Sequence, residues 1–120
     1  MSTLLIVEDE RNIRRFVSIN LMARGYNVLE AGTAEEGLTQ LYTCKPEALI
    51  LDIKLPGMSG WSMLKIMADD PDLPDIPVIV MSASPMNDQF DETPYSNVVE
   101  KLVKPLSVTD LIGAVKKSVG

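Results

Sequence analysis

Short apolar runs alternate along the chain with segments in which apolar residues recur at helical spacing. The runs predict five strands, at residues 4–7, 26–31, 48–51, 78–81 and 98–103. Several of these runs are continuous rather than alternating, which is typical of strands that are buried on both faces. The helical spacing predicts a helix after each strand. The order of elements is therefore strand then helix, repeated five times.

Helix ends are marked by residues that commonly cap them. Gly25 follows the periodic residues of the first helix and predicts its C-terminal end. Thr33 with Glu36 has the spacing of a capping box, which predicts the start of the second helix. Ser107 with Asp110 repeats this pattern before the last helix.

The weakest helical pattern lies between the fourth and fifth strands. Residues 85–97 contain Pro85 and Pro94 and show little apolar periodicity. Proline removes a hydrogen bond from a helix interior and clashes with the preceding turn. The fourth helix is therefore predicted to be short or irregular.

Strands and helices that alternate through right-handed crossovers form a parallel sheet with helices on both faces. The predicted fold class is therefore α/β, with a doubly wound sheet of five parallel strands. The length of 120 residues suits one domain, and no linker or internal repeat interrupts the pattern. We expect residues 1–120 to form a single domain.

Composition narrows the class of protein and the compartment. The chain has 46% hydrophobic and 23% charged residues, which is typical of a folded globular domain rather than a disordered segment. No apolar run approaches the ~20 residues that span a bilayer, and the start lacks the pattern of a signal peptide. The single cysteine, Cys44, excludes an internal disulfide and fits a reducing compartment. We expect a cytoplasmic protein that does not bind membranes.

Charge and histidine content exclude several kinds of site. The net charge of −6 argues against direct binding of a nucleic-acid backbone by this chain, because phosphates would be repelled. The chain contains no histidine, which excludes histidine-ligated metal sites and histidine-based triads.

Residues able to carry chemistry follow the strands at one edge of the predicted sheet. Glu8 and Asp9 follow the first strand, Asp52 the third, Ser82 the fourth and Lys104 the fifth. Ligands of open parallel sheets bind outside the carboxyl ends of the strands. Clustered carboxylates repel one another, and Mg²⁺, which prefers carboxylate, water and phosphate oxygens, would relieve that repulsion. The amine and the hydroxyl would then face a phosphate group.

Each of these residues also has a simpler explanation when it is taken alone. An aspartate at a strand end commonly forms a turn or caps a helix. The negative charges of Glu8 and Asp9 could also interact favourably with the dipole at the N-terminus of the first helix. Lys104 followed by proline could be an ordinary turn. The occurrence of all of them at successive strand ends favours a binding site.

The segments LLIVEDE, LDIKLPGMSG, PVIVMSAS and LVKP occur in this order along the chain. In these segments and their separations, the chain resembles a response-regulator receiver domain of two-component signalling over its whole length. The resemblance implies a flavodoxin-like fold with strand order 2-1-3-4-5. It also implies that a partner histidine kinase or histidine phosphotransfer protein donates a phosphoryl group in a Mg²⁺-dependent reaction.

The resemblance assigns the acidic residues and their neighbours to roles in that reaction. Asp52 would be the phosphoacceptor. Asp9 and Asp52 would ligate Mg²⁺ directly, the backbone carbonyl of Lys54 would be a further ligand, and Glu8 would act through water.

The resemblance also assigns the residues that would contact the phosphoryl group. Ser82 would donate a hydrogen bond from its hydroxyl, Ala83 would donate one from its backbone N–H, and Lys104 would supply positive charge. The Lys104–Pro105 peptide bond is expected to be cis, as is usual in this family.

Three positions depart from the family pattern or tune it. Lys101 stands where the family often has an aromatic residue, so the usual aromatic switch cannot occur. Lys54 is a long cation two residues beyond Asp52, at a position that tunes phosphoryl lifetime. Ser84, two residues after Ser82, is too small to block water and could hold one.

Other functions remain open at this point. A pseudo-receiver that only binds partners would have lost a pocket residue, and none is lost. A Mg²⁺-dependent aspartyl-phosphate hydrolase would need a second aspartate where this chain has Lys54. We therefore expect a signalling module rather than an enzyme, with an output partner that the sequence does not identify. Arg11, Arg14 and Arg15 of the first helix are expected to be solvated or to dock the kinase.

Overall fold

The computed structural model describes residues 2–88 and 94–119. In chain order its elements are β1 (Thr3–Val7), α1 (Arg11–Met22), β2 (Asn27–Ala31), α2 (Ala34–Cys44), β3 (Ala48–Asp52), α3 (Gly60–Asp69), β4 (Val78–Ser82), β5 (Val98–Val103) and α4 (Val108–Val119). All five predicted strands are therefore confirmed.

The strands form one parallel sheet in the order β2-β1-β3-β4-β5. Every residue of β3 and β4 is buried, as their continuous apolar runs predict. One face of the sheet packs against α2 and α3 and includes Leu41 and Met63 in its core. The other face packs against α1 and α4 and includes Leu21 and Leu111. The predicted doubly wound, flavodoxin-like arrangement is confirmed.

Side-chain oxygens cap the helices at their N-terminal ends. The Thr33 hydroxyl accepts from the Glu36 N–H over 3.1 Å, and the Ser107 hydroxyl accepts from the Asp110 N–H over 3.1 Å. Both predicted helix starts are thereby confirmed. Helix α1 ends at Met22, before the predicted Gly25, which adopts a φ of +91° in the turn that follows. Only glycine enters this region of backbone space without steric cost.

The segment between β4 and β5 is not a regular helix in its described parts. Residues 85–88 form a turn, in which the Asp88 N–H donates to the Ser84 carbonyl over 2.9 Å. Residues 94–97 lead into β5 without helical structure, and residues 89–93 lie outside the described residues. The described part of the chain thus has four helices where the alternation predicts five.

No helix within residues 2–88 and 94–119 is long and apolar enough to cross a membrane.

Candidate functional site

Parallel pairing brings the ends of β1 and β3 side by side. Val7 of β1 lies opposite Leu51 of β3 in the register. The next residues, Glu8 and Asp52, therefore meet at the carboxyl edge of the sheet. The sequence places both acids at strand ends, and the strand order makes them neighbours.

β4 and β5 bring a hydroxyl and an amine to the same edge. Ser82 pairs with Val103 across the two strands, and the Lys104 N–H donates to the Ser82 carbonyl over 2.8 Å. The Lys104–Pro105 peptide bond is cis, as the resemblance implies. The Lys104 side chain therefore begins at the same edge of the sheet as the acids.

Three carboxyl groups form one cluster at this edge. Carboxylate oxygens of Glu8, Asp9 and Asp52 all lie within 4.8 Å of one another. Glu8 is fully buried and Asp52 is 4% exposed, whereas Asp9 is exposed, so the cluster is open to solvent on one side. Hard oxygen donors with access to water are what Mg²⁺ takes in proteins. The residues present therefore fit a magnesium ion.

Lys104 bridges two of these acids. Its Nζ lies 2.5 Å from Glu8 Oε1 and 3.1 Å from Asp52 Oδ2. The Lys104 side chain is 14% exposed, so both ion pairs are largely shielded from water. An ion pair in such surroundings is screened less by salt than a surface pair. The lysine thus supplies the cation that compensates the buried acids.

The pKa values of the cluster reflect burial and mutual charge. Burial, and then the neighbouring Asp52, raise the pKa of Glu8 above its ordinary value. Burial and the adjacent Glu8 also raise the pKa of Asp9. Burial alone would lower the pKa of Lys104, but its contacts with Glu8 and Asp52 outweigh burial and raise it. The acids therefore carry excess negative charge that a bound cation would relieve.

The end of β3 is held by its own backbone and by a close approach of α3. The Lys54 N–H donates to Asp52 Oδ1 over 3.2 Å, while the Lys54 side chain is exposed. The Gly60 N–H donates to the Ile53 carbonyl over 2.8 Å. A Cβ at Gly60 would lie 2.6 Å from the Asp52 carbonyl oxygen, so α3 can start here only with glycine. The sequence indicates a turn at this position but not this contact.

Ser82 is fully buried, and its hydroxyl is engaged away from the acid cluster. It accepts from the Ser84 N–H over 2.9 Å and donates to the carboxylate of Asp88. Asp88 carries no signal in the sequence that marks it as a site residue, because nothing in its spacing from Ser82 indicates a contact.

Three other predicted positions lie on β5 or just after β4. Ala83 and Lys101 are exposed and Ser84 is half-buried. Lys101 lies on β5 opposite Val80 of β4. The roles proposed for these residues in phosphate contact or in tuning stay predictions.

Arg14 differs from the solvated side chain that the sequence predicts. Its Nη1 donates to the Glu8 carbonyl over 2.8 Å, and its Nε pairs with Glu30 at 3.1 Å. Arg15 also pairs with Glu30 but is half exposed, and Arg11 is exposed. Arg14 therefore ties the end of β1 to the edge strand β2.

Comparison with known proteins gives the same kind of domain. The family model described as the response regulator receiver domain matches residues 4–116. The phosphate regulon transcriptional regulatory protein PhoB of Pseudomonas aeruginosa is 31% identical over 95% of this chain and 50% of its own length. The chain spans about half the length of several curated relatives that it matches.

Two further relatives match over nearly their whole length. The polar-differentiation response regulator DivK of Brucella anthropi is 28% identical over 99% of this chain and 96% of its own. The crystal structure of the response regulator TrrA of Thermotoga maritima in complex with Mg²⁺ and BeF has a TM-score of 0.87, with 28% identity over 99% of this chain and 100% of the other. From its sheet, its site and these matches, the chain belongs to the response regulator receiver domain family.

Proposed function

We propose that residues 1–120 form one receiver domain that accepts a phosphoryl group on Asp52 from a phosphohistidine. The observation that carries the proposal is the setting of the Asp52 carboxylate. It lies at the end of β3, 4% exposed, with Lys104 Nζ at 3.1 Å and two further carboxyl groups in the same cluster. A carboxylate that is buried beside a fixed cation suits the build-up of charge during phosphoryl transfer.

The donor set supports magnesium as the cofactor. We assign Asp9 and Asp52 as direct ligands, with the Lys54 carbonyl as a further ligand and Glu8 acting through water. When bound, magnesium neutralises charge on the phosphoryl oxygens during in-line transfer. The exposure of Asp9 gives the ion a route to the otherwise buried acids.

Transfer requires only one bond to form and one to break. An oxygen of Asp52 attacks phosphorus, the phosphorus–nitrogen bond breaks, and its electron pair returns to the imidazole of the donor. Lys104 then pairs with the phosphoryl oxygens, and Ser82 and the Ala83 N–H donate hydrogen bonds to them. Water later cleaves the acyl phosphate and restores the carboxylate.

A signalling role is favoured over an enzymatic one. Lys54, with an exposed side chain, occupies the position where an aspartyl-phosphate hydrolase would need a second acid. A pseudo-receiver would lack part of the pocket, whereas Asp9, Asp52 and Lys104 are all present and adjacent. We therefore regard the domain as a phosphoacceptor and not as an enzyme acting on a separate substrate.

The phosphodonor is proposed to dock beside the pocket. A groove of about 300 Å³ lies between α1 and the residues after β5. Its lining includes Ile13, Phe16 and Leu106, and it adjoins Lys104. An apolar groove next to the acceptor suits the helices of a histidine kinase or histidine phosphotransfer protein.

We propose a cytoplasmic location, with no direct contact to nucleic acid or membrane. The free thiol of Cys44 is exposed, which suits a reducing compartment. The net charge of −6 would repel nucleic acid and anionic lipid.

The assignment of Asp52 is tested by intact mass spectrometry. The parent protein, Asp52→Asn and the control Asp75→Asn are incubated with acetyl phosphate and Mg²⁺. We expect a single phosphate adduct on the parent and on Asp75→Asn, whose side chain is exposed and outside the cluster. A full adduct on Asp52→Asn would show that another residue accepts the phosphoryl group.

A further inference from the structure

The Ser82 hydroxyl is already committed in this structure. Its oxygen accepts from the Ser84 N–H over 2.9 Å. An amide N–H can only donate, so the single proton of the hydroxyl is free to be given elsewhere. The hydroxyl donates its hydrogen bond to the carboxylate of Asp88. The direction of both hydrogen bonds is thus fixed by chemistry.

Asp88 is itself held by the turn and by α3. Its N–H donates to the Ser84 carbonyl over 2.9 Å, and its carbonyl accepts from Trp61 Nε1 over 2.7 Å. The Trp61 ring stacks on Tyr95 with centroids 6.5 Å apart and an angle of 25° between the planes. Backbone contacts to the Ser84 carbonyl and to Trp61 of α3 therefore hold Asp88 in place beside Ser82.

We propose that Asp88 is a positioning residue that competes with the phosphoryl group for the Ser82 hydroxyl. This inference rests on the proposed function, because it assumes that Ser82 turns to a phosphoryl group on Asp52. The hydroxyl has one proton, so it can donate to Asp88 or to the phosphoryl oxygen but not to both. Phosphorylation must break the Ser82–Asp88 contact.

Breaking that contact has a consequence for the turn at residues 84–88. Asp88 keeps its negative charge but loses its donor, while negative charge is added at Asp52. The turn thereby loses its side-chain anchor to β4, while the bond from Trp61 Nε1 to the Asp88 carbonyl ties it to α3.

The competition is tested with beryllofluoride and Mg²⁺, which mimic the phosphoryl group without being consumed. Calorimetry gives the dissociation constant for the parent, Asp88→Ala and two controls. Asn87→Ala alters an exposed side chain of the same turn, and Asp75→Ala removes an exposed acid elsewhere. The parent must break the Ser82–Asp88 hydrogen bond to bind beryllofluoride, whereas Asp88→Ala has no such bond to break. Asp88→Ala should therefore bind beryllofluoride about tenfold more tightly than the parent. Both controls should bind like the parent.

A second pair of variants separates competition from a general effect of charge. In Ser82→Ala there is no hydroxyl to compete for, so adding Asp88→Ala should leave the dissociation constant unchanged.

These measurements distinguish failure of the competition for the Ser82 hydroxyl from failure of the proposed function. Equal affinity of the parent and Asp88→Ala, or the same gain in the Ser82→Ala background, overturns the competition while the proposed function stands. If the parent does not bind beryllofluoride, or if Asp52→Asn binds it equally well, the proposed function fails and the competition fails with it.

Discussion

Replacing Lys104 by methionine isolates its role as counter-charge to the buried acids. Methionine is unbranched and of similar length, so packing changes little while the ammonium group is lost. In the parent, Lys104 Nζ contacts both Glu8, which is fully buried, and Asp52, which is 4% exposed. The variant leaves these two carboxyl groups facing each other without that cation.

The size of the effect follows from the burial of the three groups. Removal of one partner from a buried ion pair typically costs about 3–5 kcal/mol. Lys104 is 14% exposed, and Glu8 can take up a proton when its partner is lost. Both factors moderate the loss, so we expect the free energy of unfolding at pH 8 to fall by about 3 kcal/mol.

The loss of stability in Lys104→Met should also depend on pH. Burial and Asp52 already hold the pKa of Glu8 above its ordinary value of 4.5 in the folded parent. Loss of Lys104 raises it further, because the hydrogen bond from Lys104 lowers it. When the pKa of an acid is raised in the folded state, the contribution of that acid to stability is fully present below its ordinary pKa. This contribution is lost as the pH rises through the pKa of the folded state. The deficit of Lys104→Met should therefore be smaller at pH 5 than at pH 8.

Urea denaturation of the parent, Lys104→Met and Lys101→Met at both pH values measures these effects. Lys101 is an exposed lysine on the same strand, so its variant matches the change in charge. We expect it to alter stability by less than about 0.5 kcal/mol. An equal loss at both lysines, or a loss at Lys104 that does not vary with pH, would refute the role of Lys104 as counter-charge.

Two further predictions concern the metal and the lifetime of the phosphoryl group. Mg²⁺ should raise the melting temperature of the parent and of Asp72→Ala but not that of Asp9→Ala, because a ligand that binds only the folded state stabilises it; an equal response of Asp9→Ala would contradict the ligand assignment. The phosphoryl group should persist on the order of an hour, since no side chain near the pocket within residues 2–88 and 94–119 is placed to activate an in-line water. Dephosphorylation should be faster in Lys54→Ala and Lys54→Asn than in the parent, and rates within about a factor of two would show that Lys54 only contacts solvent.

The sheet could be predicted from the sequence because its central strands are buried on both faces. The apolar run before Asp52 has no polar residue, and all of β3 is buried in the structure. The starts of two helices could also be predicted, since the hydroxyls of Thr33 and Ser107 each accept a hydrogen bond from the N–H three residues ahead. The strand order, in contrast, came from family resemblance, because apolar runs alone do not determine which strands are neighbours.

The contacts between the residues of the site could be predicted less well than the residues themselves. The charged residues at strand ends follow from the order of elements, but the bond from Arg14 to the Glu8 carbonyl joins a side chain to the backbone. No spacing rule encodes such a contact. The bond from Ser82 to Asp88 depends on how a proline-bearing turn folds back, and that segment has no periodicity from which to predict it.

The route from the pocket to the surface does not need an aromatic residue at position 101. Lys101 is exposed, and an aromatic pair among the described residues, Trp61 and Tyr95, lies beside the turn that carries Asp88. A change in equilibrium between two conformations can be only as large as the difference in interaction energy between them. A hydrogen bond to a charged group differs by about 1.5–3 kcal/mol between made and broken. Redirection of the Ser82 hydrogen bond from Asp88 to a phosphoryl group would thus shift the equilibrium between the anchored and the released turn at residues 84–88 by at least about tenfold, and a rotating side chain on β5 is not required.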